Sequence, residues 1–253
     1  RGRGEAKQFQ VLVRQMRRAC QGLQADEKLA RDMILRAYDC MVWGGIDYVH
    51  RYCNTVMRIA QLDDAKHDYQ LTRAVIWQLA RVMLIKDEVY VSALLTSPEK
   101  YERDRQRFNV DTALGDQIHY RHYHQSEFVL FGRRFRFEWS SRDWQLRLMA
   151  RMRWLRKMMP GWHRPEREYR DWYQSLVEQV DWQPGQSPRE YQRWLTILQT
   201  PETASGYREV WYPRMQAARS RARQLLATDP QLFEPPAVLA PTKRVSLPIA
   251  NDL

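Results

Sequence analysis

From Tyr69 to Leu95, apolar side chains recur at helical spacing over an unusually long stretch. Leu71, Val75, Leu79, Val82, Met83, Val89, Ala93 and Leu94 build one broad apolar face, the pattern of an amphipathic helix packed on a core. The spacing predicts a single long helix over these residues. Inside it stand three consecutive charges, Lys86, Asp87 and Glu88. Three successive residues sweep about 200° around a helix, so they cannot share one narrow solvent stripe. At least one is expected at the edge of the packed face or under a partner surface. A buried charge needs a counter-charge, which Arg81, Arg103 or an arginine from residues 133–157 can supply.

The rest of the chain reads as further helices around one irregular middle. Residues 8–22 carry Val11, Leu12, Met16 and Ala19 at helical spacing. Asp26 is placed to cap a second helix bearing Leu29, Met33, Ala37 and Met41, which Trp43-Gly44-Gly45 ends. Asp47 is expected to cap a third, with Val49, Tyr52, Val56 and Ile59 inward. Ser97-Pro98-Glu99 and Ser187-Pro188-Arg189-Glu190 are start signals, with a serine cap and proline in the first position. Pro165–Val180 and Val210–Leu226 read as helices, and Thr200-Pro201-Glu202 as a short turn.

Residues 118–124, IHYRHYH, alternate like a strand, and residues 128–139, FVLFGRRFRFEW, read as a hairpin turning at Gly132-Arg133. Ser140 and Asp143 suggest a cap for a helix running to about Met159, with Trp144, Leu148, Leu155 and Met159 as its core stripe. The expected fold is therefore mainly α: a helical, bundle-like domain over residues 8–228 with a small antiparallel β element around 117–139. Residues 1–7 read as a linker, cut from a longer polypeptide, and residues 229–253 as an extended Pro-rich tail.

Composition narrows function mainly by exclusion. The 253 residues carry 41 Lys or Arg against 30 Asp or Glu, a net charge of +11 that favours an anionic partner without choosing one. Ten glycines supply neither a GxGxxG nor a P-loop pattern. Cys20, Cys40 and Cys53 form no CxxC pair and read as idle thiols of a reducing cytoplasm. No stretch reaches the ~20 apolar residues of a membrane span, and no signal peptide is visible.

Two local patterns have chemical alternatives. His122 and His124 share one side of a strand and are the chain's candidate metal ligands. No nearby cysteine or acidic triad completes a tetrahedral site, so solvated or stacked histidines are the expectation, and a small metal-dependent enzyme is the minor alternative. Residues 133–157 hold nine Arg or Lys against two acids, interleaved with Phe135, Phe137, Trp139, Trp144 and Trp154. Basic charge plus rings suits single-stranded nucleic acid, but nucleic acid is not the expected partner, because the same rings serve equally as core. Nothing marks a catalytic acid/base pair or nucleophile.

Residues 79–108, LARVMLIKDEVYVSALLTSPEKYERDRQRF, resemble the signature helix of the C-terminal accessory domain of indolepyruvate:ferredoxin oxidoreductases, within the 2-oxoacid:ferredoxin oxidoreductase family. There a helix of the type L-M-x-Y-K-D-E-Y-E-V-A-R-L precedes a charged, aromatic segment. Lys86, Asp87, Glu88, Val91 and Leu94 match, while Ile85 stands where the family often has Tyr. WGGIDYVHRY, residues 43–52, is similar to the family's D-Y-Q-D-x-x-Y-A-x-R-Y region. QIHYRHYH and SGYREVWYPRMQAARSRARQLL follow in family order, so the resemblance covers about residues 8–226.

The resemblance implies a non-catalytic accessory domain, in a fused enzyme or a beta-type subunit. It would pack on catalytic domains or subunits, form part of an oligomer and offer a basic face to an acidic ferredoxin. The complete enzyme would use thiamine diphosphate and iron–sulfur clusters. This chain has neither a thiamine motif nor the cysteine runs for clusters, so it is expected to bind no cofactor and to hold no catalytic residue. Lys86, Asp87, Glu88, Asp47, Tyr48, Arg134, Arg136, Arg147 and Arg151 are its candidate structural or interface residues.

Overall fold

The computed structural model describes residues 3–23, 26–130, 133–159, 161–204 and 208–234. In chain order the helices are α1 (Arg3–Gly22), α2 (Glu27–Gly44), α3 (Ile46–Leu62), α4 (Gln70–Met83), α5 (Glu88–Leu95) and α6 (Pro98–Arg107). A hairpin of β1 (His122–Leu130) and β2 (Arg133–Ser141) follows. Then come α7 (Asp143–Arg151), α8 (Leu155–Met158), α9 (Arg164–Glu178), α10 (Pro188–Leu198) and α11 (Arg208–Ala227). The fold is mainly α with one small two-stranded antiparallel sheet. The described residues fall into two compact units: 3–85 with 161–234, and 86–159.

Local signals account for most helix starts. Asp26 is extended (ψ 156°) and accepts the Leu29 N–H at 2.8 Å, opening α2. Ser187 caps α10 through Glu190 N, and Ser97 caps α6 through Lys100 N, both at 3.2 Å and both followed by proline. Each such cap contributes on the order of 1 kcal/mol. Asp47 departs from expectation. Gly45 (φ 84°) occupies the cap position of α3, and Asp47 sits exposed in its first turn. Its negative charge still favours that helix end.

The first unit packs α1–α4 with α9–α11. Leu29, Met33, Ala37 and Cys40 of α2 face Val49, Tyr52, Val56 and Ile59 of α3, all essentially inaccessible. The core is rich in tyrosine, and each buried hydroxyl needs an acceptor. Tyr52 donates to Ile76 O (3.1 Å) and Tyr173 to Leu198 O (2.8 Å). Tyr191 of α10 donates to Asp63 at the end of α3 (2.9 Å). Asp63 also accepts the Thr72 N–H and hydroxyl of α4, both at 2.8 Å, so one carboxylate joins three helices. All three cysteines are free and buried; burial pushes the Cys53 thiol up to about 12.

Several expectations are corrected. Residues 3–7, read as linker, belong to α1. The helix expected over 69–95 is two helices, α4 and α5, separated at residues 84–87. β1 runs unbroken from His122 to Leu130, so 118–124 is not a separate strand. Leu130 pairs with Arg133; Arg133 is therefore in the strand, and Gly132 of the expected Gly132-Arg133 turn lies outside the described residues. The helix expected to reach Met159 breaks at Met152. Its start is capped by Gln145, whose side chain accepts the Arg142 N–H at 2.8 Å, not by Ser140. Of the tail, residues 229–234 are described: Pro230–Leu232 form a 3-10 turn and Phe233 is buried. Residues 235–253 lie outside the described residues. Among the described residues no helix is long and apolar enough to cross a membrane.

Gly44 makes the α2–α3 corner possible. A Cβ there would lie 2.5 Å from Cβ and Cγ of Tyr48. Gly44→Ala is expected to cost about 1–3 kcal/mol through this overlap, whereas Gly22→Ala, with nothing within 4 Å of its added Cβ, should lie within about 0.5 kcal/mol of wild type. Urea denaturation of both variants tests the contrast; equal stabilities would refute the close-approach argument.

Arg36 and Asp39 form a buried pair on α2 at 3.0 Å. Burial raises the Asp39 carboxyl to about 6, against the opposing pull of Arg36. A folded value above the unfolded one means that the native state holds the proton longer, so this group's contribution to stability is lost as pH rises from about 4 to about 6. Comparing wild type with Asp39→Asn across that window should show wild type losing ground to the variant as pH rises. A pH-independent difference would contradict the assignment.

Candidate interaction surface

The charges at 86–88 occupy a helix junction. The last carbonyls of α4 have no partner within the helix. Tyr48 donates its hydroxyl to Met83 O at 2.8 Å, and Trp43 donates its indole N–H to Ile85 O at 2.9 Å. The two rings stack at 4.4 Å, which holds both donors in place. Residues 43–48 at the α2–α3 corner and residues 83–85 at the end of α4 therefore meet in space.

Beyond the junction, Asp87 is the N-cap of α5. It is extended (ψ 163°) and its Oδ1 accepts the Tyr90 N–H at 2.8 Å. Both carboxylate oxygens are also held by Arg156, Nε to Oδ2 and Nη2 to Oδ1, each at 2.7 Å. Both side chains are buried. The counter-charge thus comes from the basic segment; Arg81 instead donates to Glu202 O (2.9 Å), and Arg103 lies 3.8 Å from Asp104. Lys86 and Glu88 are exposed.

A second polar network holds the N-terminus of α7. Asp143 meets His122 Nε2 at 2.8 Å and accepts the Tyr101 hydroxyl at 2.7 Å. Burial raises the Asp143 carboxyl, but the hydrogen bonds from His122 and Tyr101 and the nearby charges of His122 and Arg147 outweigh it and hold the group below the usual carboxylate range. Tyr120 stacks on His122 and donates to Asp104, which Lys100 pairs at 2.8 Å. Lys100 also lies 3.6 Å over the Tyr120 ring. Burial, and then the Asp104 carboxylate, push the Tyr120 hydroxyl up to about 12. His122 is thereby engaged by a carboxylate and a ring. The side chain of His124 lies outside the described ones, and among the described residues no group of three or more His, Cys, Asp or Glu is arranged to hold a metal.

The expected core stripe of residues 144–159 is turned outward. Trp144 is 62% exposed and Leu148 55%, while Leu146 is the buried residue of α7, whose helix packs on α5. Trp154, Met158 and Met159 are also exposed, and Leu155 is half-buried. Arg147 and Arg151 are exposed beside Trp144 and Leu148. Arg134 and Arg136 lie in β2, opposite Val129 and Glu127, with side chains outside the described ones. A largely polar concavity whose lining includes Tyr120, Arg121, Arg142, Asp143, Trp144 and Arg147 adjoins the start of α7.

Tyr101, Tyr120 and the role of Asp143 were not legible in the sequence. Asp143 stands next to a helix start and reads as a cap, and nothing local links it to a histidine 21 residues earlier.

Residues 29–224 match the model of a family described as a family of unknown function, DUF6537. The chain belongs to that family. No curated protein and no solved structure matches it.

Replacing Asp87 by Asn keeps a capping side chain but strands the Arg156 guanidinium. Asp87→Asn should cost about 3–5 kcal/mol, and Asp87→Asn with Arg156→Met should recover much of the loss, because no uncompensated charge remains. Denaturation of the two single variants and the double variant measures this. A loss below about 1 kcal/mol for Asp87→Asn would be the size of an exposed pair and would remove the junction's electrostatic basis.

Proposed function

We propose that the chain is a non-catalytic accessory and assembly domain of a thiamine-dependent 2-oxoacid (indolepyruvate-like) ferredoxin oxidoreductase, packed on the catalytic domains or subunits of that enzyme. One observation carries the reading: the residues behind the family resemblance are consumed in architecture. Tyr48 bonds the last carbonyl of α4, Trp43 bonds Ile85 O just beyond it, and Asp87 caps α5 while pairing with Arg156. Residues committed in this way hold a shape and are not poised for chemistry. The exposed apolar and basic surface of α7 adds support, since such a patch suits assembly with another protein.

In this reading thiamine diphosphate and the iron–sulfur clusters belong to the partner domains, the setting is cytoplasmic, and the domain works within an oligomer. A basic face would also favour encounter with an acidic ferredoxin. A second reading, a single-stranded nucleic-acid module, draws on exposed Trp144 and Trp154 beside Arg147 and Arg151; it requires an affinity that falls steeply with salt.

The test is co-expression of this chain with the thiamine-dependent catalytic subunit of a 2-oxoacid oxidoreductase from the same source, followed by affinity purification through the chain. Stoichiometric co-purification that survives salt is expected. Separation of the two under all conditions would count decisively against the reading.

A further inference from the structure

α7 turns its apolar stripe away from its own unit. At about 100° per residue, Trp144, Leu148 and Arg151 lie within about 60° of one another, Arg147 follows about 40° further on, and Leu146 falls on the opposite side. The burial agrees, with Leu146 at 3% exposure and the others open. The stripe is therefore mixed, with aromatic and aliphatic anchors flanked by guanidinium groups. Trp154, Met158, Met159 and Lys157 extend the exposed set.

The charge is one-sided. Residues 142–159 contain six Arg or Lys and a single carboxylate, Asp143, which His122 and Tyr101 already occupy. Arg156 is spent on Asp87. Arg151, central in the stripe, has no ion pair among the described residues.

These features discriminate between occupants. Tryptophan, methionine and arginine are the side chains enriched in protein interfaces and their hot spots. Methionine adapts its shape to an apolar partner, whereas Leu148, Met158 and Met159 offer no ring on which a base can stack. A second copy docking through the same patch would set two copies of the same basic surface against each other, since a two-fold interface presents the same patch on both sides. Complementarity instead calls for carboxylates around apolar side chains. We propose that the α7 face of Trp144, Leu148, Arg147 and Arg151 docks an acidic protein surface that inserts apolar side chains between the arginines. This inference stands independently of the oxidoreductase reading.

The experiment uses the full chain and a fluorescein-labelled synthetic peptide, helical and rich in Glu and Asp, with Leu and Phe at alternating three- and four-residue spacing. The comparators are a poly-glutamate peptide of equal charge and an oligothymidylate. Fluorescence anisotropy should show saturable binding of the amphipathic acidic peptide, tighter than either comparator and weakened by salt. Trp144→Ala and Arg151→Glu should each weaken it roughly tenfold or more, with unchanged melting temperatures because both side chains are exposed. Leu148→Ser gives a second, uncharged probe of the same stripe. The proposal is overturned if the amphipathic peptide does not bind or if poly-glutamate binds equally well. It is also overturned if the oligothymidylate is preferred, or if sedimentation velocity shows a dimer that Trp144→Ala dissolves.

Discussion

Helix α4 must end inside protein, and its last carbonyls must still find donors. That requirement organises the first unit around the α2–α3 corner. Tyr48 supplies one donor, to Met83 O, and Trp43 supplies another just past the helix end, to Ile85 O. Both can reach because Gly44 carries no side chain and Gly45 adopts a left-handed φ that reverses the chain. Met83 O also accepts the Ile85 N–H at 3.0 Å, so Tyr48 adds a second bond to that carbonyl; a buried, unmade hydrogen bond costs about 1–3 kcal/mol, the order of the penalty for losing the Trp43 donor to Ile85 O. The corner, the stacked ring pair and the end of α4 form one mechanical element. The chain passes from the first unit to the second immediately after it.

Among the described residues of the second unit, several buried or shielded side chains are paired charges. Asp87 with Arg156, Lys100 with Asp104, and His122 with Asp143 are paired groups that are buried or largely shielded from solvent. Paired and hydrogen-bonded charges of this kind define geometry well while adding little net stability, because desolvation offsets much of their attraction. In this unit they serve placement: Arg156 anchors the start of α5, and Asp143 anchors the start of α7 on the strand residue His122. With α7 held at its N-terminus by polar contacts and along one side by Leu146, its other side is left open for Trp144 and Leu148.

An outward apolar stripe costs solubility in isolation and gains meaning only when something covers it. The two units divide the work accordingly. The first buries tyrosines and tryptophans and satisfies several of their polar atoms internally, as with Tyr52, Tyr173 and Tyr191, while Tyr169 Oη and Trp182 Nε1 find no hydrogen-bond partner among the described residues. The second exposes Trp144, Trp154, Met158 and Met159 together with Arg151. Membership of a family described only by its unknown function leaves chemistry to be argued from such placement.

What the sequence by itself determined is local. Asp26, Ser97 and Ser187 announced their helices because a cap is a contact between residues three apart. The inward faces of α2 and α3 followed from periodicity, because burial there lies on one side of each helix. The tertiary structure decided the rest. Helical periodicity runs through residues 84–87, so the break depended on donors about 40 residues away and on Arg156, 69 residues away. Asp87 followed by Glu88 was a cap signal, masked by the apolar run on both sides. Spacing likewise showed that Trp144 and Leu148 share a face but not which way it points. That direction was set by where α5 packs and by the polar network at Asp143, since a helix with one buried residue on each turn of choice faces whichever side its long-range contacts hold.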